Sequence, residues 1–298
     1  MEKEIKYHSK RIFYRVVGSG KTVLLIHGFG EDGNIWNLQV EYLQNKFRLI
    51  VPDLPGSGRS ELVDDMSIEG MAEVIKAIID QEIKAIDPTT SAFAAATAGK
   101  PDSRLPTLDS RFPTPNCILL GHSMGGYITL AFAEKYPNYL KGFGLIHSTA
   151  FSDTEEKKET RRKGIVFIQE HGSYEFLKTA TPNLFSENSK NQPRLLSGPN
   201  SIQDLIEQGN NFSPDSLVSY YEGMMQRPDR TAVLRQSSVP VLFIMGKYDT
   251  AVPLDDVLKQ CHLPEKSYIH ILHQTGHMGM LEEAEKTNRV LEKFLEEI

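Results

Sequence analysis

"CILLGHSMGGYITLAF", residues 117–132, sets an apolar run, a serine between glycines and a second apolar run side by side. The first run is short and free of charge, as in a strand covered on both faces, and the second predicts a helix. Ser123 therefore stands at a sharp strand-to-helix turn. Gly121 and Gly125 lie two residues away on either side. A residue displayed at such a turn adopts a strained backbone, and side chains at the two flanking positions would collide. Gly126 would let the helix pack close to the sheet. The stretch fits G-x-S-x-G, yet any tight turn favours small residues, so Ser123 is either a nucleophile or a solvent-facing serine. Partners elsewhere in the chain must decide.

Working outward, short apolar runs recur at 22–28, 48–54, 142–149, 239–249 and 267–273, separated by amphipathic stretches. This alternation predicts an α/β fold: a mostly parallel central sheet with helices on both faces, right-handed crossovers and an antiparallel hairpin at 4–17 on one edge. Apolar residues at Ile68, Met71, Ile75, Ile78, Ile79, Ile83 and Ile86 predict a helix capped by Ser67 and ending at Asp87–Pro88. Two departures interrupt the alternation. Residues 87–115 are rich in Pro, Ala, Thr and Ser, much longer than a usual helix-to-strand loop. They read as a surface loop away from the site; the competing reading is a lid segment using Phe93, Leu105, Leu108 and Phe112. Residues 151–230 are charged and mainly helical, with Pro182, Pro193, Pro199 and Pro214 as breakers, and read as a cap. The core is thus expected in two parts, 1–150 and 231–298, with the helical cap between them.

The chain has 298 residues, and its 33 basic against 39 acidic residues give a net charge of −6 with no basic block. That argues against nucleic acid as a partner. No apolar run is long enough to span a bilayer, and the charged N-terminus lacks a signal-peptide core, so a cytoplasmic protein without a membrane partner is expected. Cys117 and Cys261 have no metal-type spacing and read as reduced, buried thiols. No metal and no cofactor are expected, and oligomeric state is open.

A serine hydroxyl needs a histidine to accept its proton and a carboxylate to orient that histidine. In "VPVLFIMGKYDTAVP", Asp249 lies just beyond an apolar run; in "HILHQTGHMGMLEEAEK", His277 lies just beyond the next, between Gly276 and Gly279. Strand ends on the carboxyl edge of a parallel sheet are where such groups converge. Among the other histidines, His270 and His273 belong to the last strand, His122 should point away from Ser123, His27 belongs to another loop, and His147 ends a strand near the pocket. Asp255 and Asp256 are expected to open a helix. In "HGFGEDGNIW" the chain turns back after the strand at 22–26. The backbone N–H groups of Phe29 and Met124 are the expected oxyanion donors. Phe29 and Trp36 are candidates to line the substrate's acyl side.

"HGFGEDGNIW", "VPDLPGSGRS", "LLGHSMGGYITLAFAEKYP", "VPVLFIMGKYD" and "QTGHMGMLEEAEK" together resemble the capped α/β-hydrolase superfamily, in particular its small serine carboxylesterases and lactonases. The resemblance covers nearly the whole chain except 87–115. It implies hydrolysis of a small-molecule ester through an acyl-enzyme, with Ser123, Asp249 and His277 as the triad, and a structural role for the 52–58 loop. A serine at 123 departs from the haloalkane dehalogenase branch, which uses aspartate there. Cofactor-free haloperoxidases, carbon–carbon bond hydrolases and lyases with similar triads are the alternatives within the fold, and a non-catalytic binding protein is the alternative outside catalysis.

Overall fold

The computed structural model describes residues 1–86 and 116–298. The readings made for 87–115 lie outside the described residues. Eight strands form one sheet: β1 (Glu2–Tyr7), β2 (Lys10–Val17), β3 (Thr22–Ile26), β4 (Arg48–Pro52), β5 (Cys117–His122), β6 (Leu140–Ile146), β7 (Val241–Gly246) and β8 (Ser267–Leu272). Their order is β1-β2-β4-β3-β5-β6-β7-β8. The β1–β2 and β2–β4 pairings are antiparallel, and every other neighbouring pair is parallel. The hairpin expected at 4–17 is therefore the sheet's edge, its turn made by His8 and Ser9 at positive φ.

Alternation along the strands divides the core into two layers. Leu24 and Ile26 of β3 and Leu119 of β5 face one way, against α2 (Ile68–Ile86) and α3 (Met124–Lys135), whose Met71, Ile75, Ile128 and Phe132 are buried there. Val23, Leu25, Ile118 and Leu120 face the other way, against α1 (Asn37–Leu43) and the C-terminal α6 (Ala284–Glu297), through Val40, Leu291 and Phe294. Both faces are covered, which is why the strands read as unbroken apolar runs. The Ser67 hydroxyl accepts the Gly70 N–H at 2.9 Å and caps α2 where the spacing places its start.

Between β6 and β7 the chain is helical, led by α4 (Glu155–Ala180) and α5 (Pro214–Gln226). Pro193 and Pro214 open helices, and Pro182 sits in the first turn of the 3-10 helix Thr181–Leu184. The missing N–H costs nothing at such positions, so the breakers punctuate the segment without unfolding it. α4 is interrupted at Gly172, whose φ of 83° belongs to the left-handed region. A buried ion cluster holds this segment to the sheet layer. Asp153 accepts from Arg161 Nε at 2.6 Å and pairs with Arg227 Nη2 at 3.0 Å, and the Arg227 guanidinium lies 3.8 Å above the Tyr127 ring of α3. Burial raises the Asp153 carboxyl, but the two guanidinium groups outweigh it and hold the group below the usual carboxylate range. Among the described residues, no helix is long and apolar enough to cross a membrane. Cys117 and Cys261 are free and buried, and burial pushes the Cys117 thiol up to about 12.

Candidate active site

Ser123 follows β5 directly and has φ 51° and ψ −115°, outside the conformations that side chains favour. Neighbours on β6, just beyond it and in α3 hold it there. Its N–H donates to Ile146 O at 2.9 Å, and its carbonyl accepts the Ser148 hydroxyl at 2.7 Å and the Gly126 N–H at 2.9 Å. The three glycines around it are required by contact. A Cβ on Gly121 would collide with the carbonyl of Gly125, one on Gly125 with the carbonyl of Ile26, and one on Gly126 with the Ser148 side chain. Strain at one residue, enforced by the packing of three strands, is the pattern of a displayed functional side chain.

Asp249 lies beyond β7 and His277 beyond β8, and the structure brings them together: Nδ1 of His277 is 2.8 Å from Oδ2 of Asp249. The other carboxylate oxygen, Oδ1, accepts the backbone N–H groups of Ala251 at 2.9 Å and Val252 at 2.8 Å. Burial raises the Asp249 carboxyl, but His277 and a second imidazole, His147, overcome that and drive it well below the ordinary range, so it is ionised. Burial lowers the His277 pKa, and the Asp249 charge reverses this and leaves it raised. An ionised carboxylate only accepts, so Nδ1 of His277 carries the hydrogen and Nε2 offers a lone pair.

The loop that carries His277 is held by Glu282, which accepts the N–H groups of Gly276 at 2.9 Å, Met278 at 3.1 Å and Ser186 at 2.9 Å. His277's own N–H donates to Leu184 O at 2.6 Å, tying the loop to the helical segment. The loop after β3 is fixed by Glu31, whose Oε2 accepts the Gly28 N–H at 2.7 Å and faces Nδ1 of His122 at 3.0 Å. The other nitrogen of His122 faces the carbonyl of His277 at 3.0 Å. His122 thereby joins the serine strand to both neighbouring loops. His27 hydrogen-bonds across to the Leu54 N–H at 2.9 Å, and Asp53 accepts from Gly33 and Arg59, so the 52–58 loop buttresses the sheet edge.

Met124 is the first residue of α3, and its N–H has no acceptor within the helix. Among the described residues, the Phe29 N–H likewise meets no protein acceptor. The Phe29 ring stacks on Tyr221 of α5 at 4.4 Å and 7°, and meets Tyr220 and Phe176 edge-on at 6.2 and 6.1 Å. Leu177 closes over Gly30. Aromatic side chains of the helical segment thus roof the loop that carries Phe29. Trp36 is placed differently: it is 0% exposed in the layer beneath the sheet, 6.4 Å edge-on from His122, and offers no surface to a ligand. An aromatic at the start of the first helix packs inward because the sheet face there needs covering.

Sequence reasoning did not single out Glu31 or Glu282, and it placed His147 near the pocket without giving it a partner. Glu31 lies in the loop after β3 and Glu282 ends the short helix Gly279–Glu282, and both show their role only when their acceptor geometry is seen. His147 carried a signal, a lone histidine at the carboxyl end of a parallel strand. Its Nδ1 lies 3.1 Å from Oδ2 of Asp249. Ligand atoms of His147, Asp249 and His277 lie within 4.8 Å of one another, but the Asp249 oxygen between the two imidazoles is already paired with Nδ1 of each, so the cluster is closed on itself and not open to an ion.

Comparison with known proteins bears on the family and the fold. The profile of the alpha/beta hydrolase family matches residues 23–290. A pimeloyl-[acyl-carrier protein] methyl ester esterase of Yersinia enterocolitica is 24% identical over 251 residues, 82% of this chain and 81% of the relative. A 2-hydroxy-6-oxo-6-phenylhexa-2,4-dienoate hydrolase of Comamonas testosteroni is 25% identical over 294 residues, 95% and 91% of the two chains. The solved structure of a thermophilic esterase from Thermogutta terrifontis superposes with a TM-score of 0.81 at 25% identity, covering 100% of this chain and 98% of that one. With the profile spanning almost the whole sequence, the chain belongs to the alpha/beta hydrolase family.

Proposed function

We propose that the protein hydrolyses carboxylic esters of small to medium, mainly apolar substrates through an acyl-enzyme on Ser123. The observation that carries this reading is the 2.8 Å pairing of His277 Nδ1 with an ionised Asp249 on the sheet edge where the strained Ser123 stands. The pairing fixes the tautomer that acyl transfer needs, with the lone pair of His277 Nε2 free to take a proton. Ser123 Oγ attacks the ester carbonyl carbon while Nε2 accepts the hydroxyl proton. The oxyanion is received by the N–H groups of Phe29 and Met124, an interaction worth about 10²–10³ in turnover per donor. Collapse of this intermediate expels the alcohol, which takes the proton from His277. Water, deprotonated by the same nitrogen, then cleaves the acyl-enzyme and restores the serine.

The 151–230 segment acts as a cap. Phe29, Tyr221 and Phe176 supply a mostly apolar lining, as small-ligand sites commonly have. The names of the Yersinia and Thermogutta proteins favour ester cleavage, and that of the Comamonas protein supports carbon–carbon hydrolysis as the second reading. A panel of p-nitrophenyl esters of increasing acyl length, ring-fission dienoates, and peroxide with halide, run on wild type and Ser123→Ala, separates them. The expected result is ester turnover that the substitution abolishes. Turnover of dienoates alone, or ester cleavage that survives Ser123→Ala, would overturn the proposal.

A further inference from the structure

We infer that His147 is a fourth member of the catalytic charge system, a positioning residue that holds the Asp249 carboxylate and tempers the basicity of His277. The inference rests on the reading of His277 as the base. His147 follows β6 with φ 49°, is fully buried, and donates its backbone N–H to Ile244 O at 2.8 Å. Its Nδ1 reaches the very oxygen that His277 uses, at 3.1 against 2.8 Å. With Ala251 and Val252 on Oδ1, the carboxylate accepts four N–H groups, about all that it can. Rotation about its Cβ–Cγ bond would break two pairs at once.

The second nitrogen of His147 settles its charge. Since Asp249 is ionised, Nδ1 carries the hydrogen and Nε2 is a bare lone pair. Nε2 is buried, has no hydrogen-bond partner among the described residues, and faces Gly279, where a Cβ would collide with it. A proton there would be an unpaired buried donor, and burial accordingly lowers the His147 pKa. The charged and titratable groups around the two imidazoles are Asp249 and His122, with Glu31 and Glu282 also facing His277. His147 is therefore a neutral donor whose N–H dipole offsets part of the negative potential that Asp249 exerts on His277. Left to Asp249 alone, His277 would hold its proton to higher pH and be a poorer base at neutrality.

The test compares His147→Leu with His147→Asn, which place a methyl or an amide nitrogen where Nδ1 stood. Against a p-nitrophenyl ester, His147→Leu is expected to raise the acid-limb pKa of kcat/KM by about half a unit and to lower the plateau by about tenfold. His147→Asn should restore both. Nitrogen-15 histidine NMR of the wild type needs no substitution, and should show His147 as the neutral Nδ1–H tautomer over about pH 5–9. An unmoved limb and plateau in a folded His147→Leu, or a His147 that titrates, would overturn the inference. Failure of the underlying reading shows separately, as a wild-type limb and turnover that persist in His277→Ala.

Discussion

Replacing Asp249 by Asn changes one atom of the carboxylate and forces two imidazoles to rearrange. An amide has one accepting oxygen, and the backbone N–H groups of Ala251 and Val252 cannot change sign, so that oxygen must face them. The NH₂ group then points at the Nδ1 atoms of His277 and His147, which now have to present lone pairs. His277 carries its hydrogen on Nε2 and can no longer take a proton from Ser123. His147 acquires an Nε2–H that is buried against Gly279 without an acceptor among the described residues, at a cost of about 1–3 kcal/mol of stability. The wrong tautomer in a serine triad lowers turnover by about 10⁴, equivalent to roughly 5 kcal/mol of transition-state stabilisation. The assay is kcat/KM for a p-nitrophenyl ester on the wild-type pH plateau, with thermal melting alongside. A folded Asp249→Asn within about tenfold of wild type would refute the tautomer argument.

Gly125→Ala should lower kcat by about 10² through displacement of the elbow, with about 2–3 kcal/mol of overpacking seen in melting, because the added Cβ meets the Ile26 and His27 carbonyls. In wild type, kcat/KM should rise with pH through a limb above the ordinary imidazole value of 6.5, since Asp249 keeps His277 protonated longer than burial alone would. Stability carries opposite signs at the two histidines, read by denaturant melts across pH. The His277 contribution is present below about pH 6.5 and fades as pH rises through its raised native value; His147, lowered in the native state, makes stability fall as pH drops below about 6.5. Arg227→Met should cost about 3 kcal/mol by chemical denaturation, the low end for breaking a buried ion pair, because Arg161 still faces Asp153.

The sheet was legible because parallel strands buried on both faces are written as apolar runs, and each observed strand falls within or within two residues of its run. The ends differ where the chain leaves the ladder to make function: His27 and Gly28 extend the third strand's run, yet they belong to the loop that carries Phe29. The elbow was legible from Gly121 and Gly125, whose Cβ positions are occupied by backbone carbonyls. Asp249 and His277 could be placed beyond strands from spacing alone. The pairing of His147 with the same carboxylate could not, since it depends on the register of β6 against β7, where Ile146 pairs with Ile244. Trp36 was misplaced for a related reason: a sequence gives an aromatic its helix, but the face it presents is set by the layer the sheet must bury.

The central claim is that an acyl group passes through Ser123. Rapid acid quenching during turnover of a p-nitrophenyl ester, followed by peptide mass spectrometry, should find the acyl mass on the peptide containing residues 117–132, at Ser123, and nowhere in Ser123→Ala. Turnover with an unmodified Ser123 peptide, or an acyl group on another residue, would contradict it.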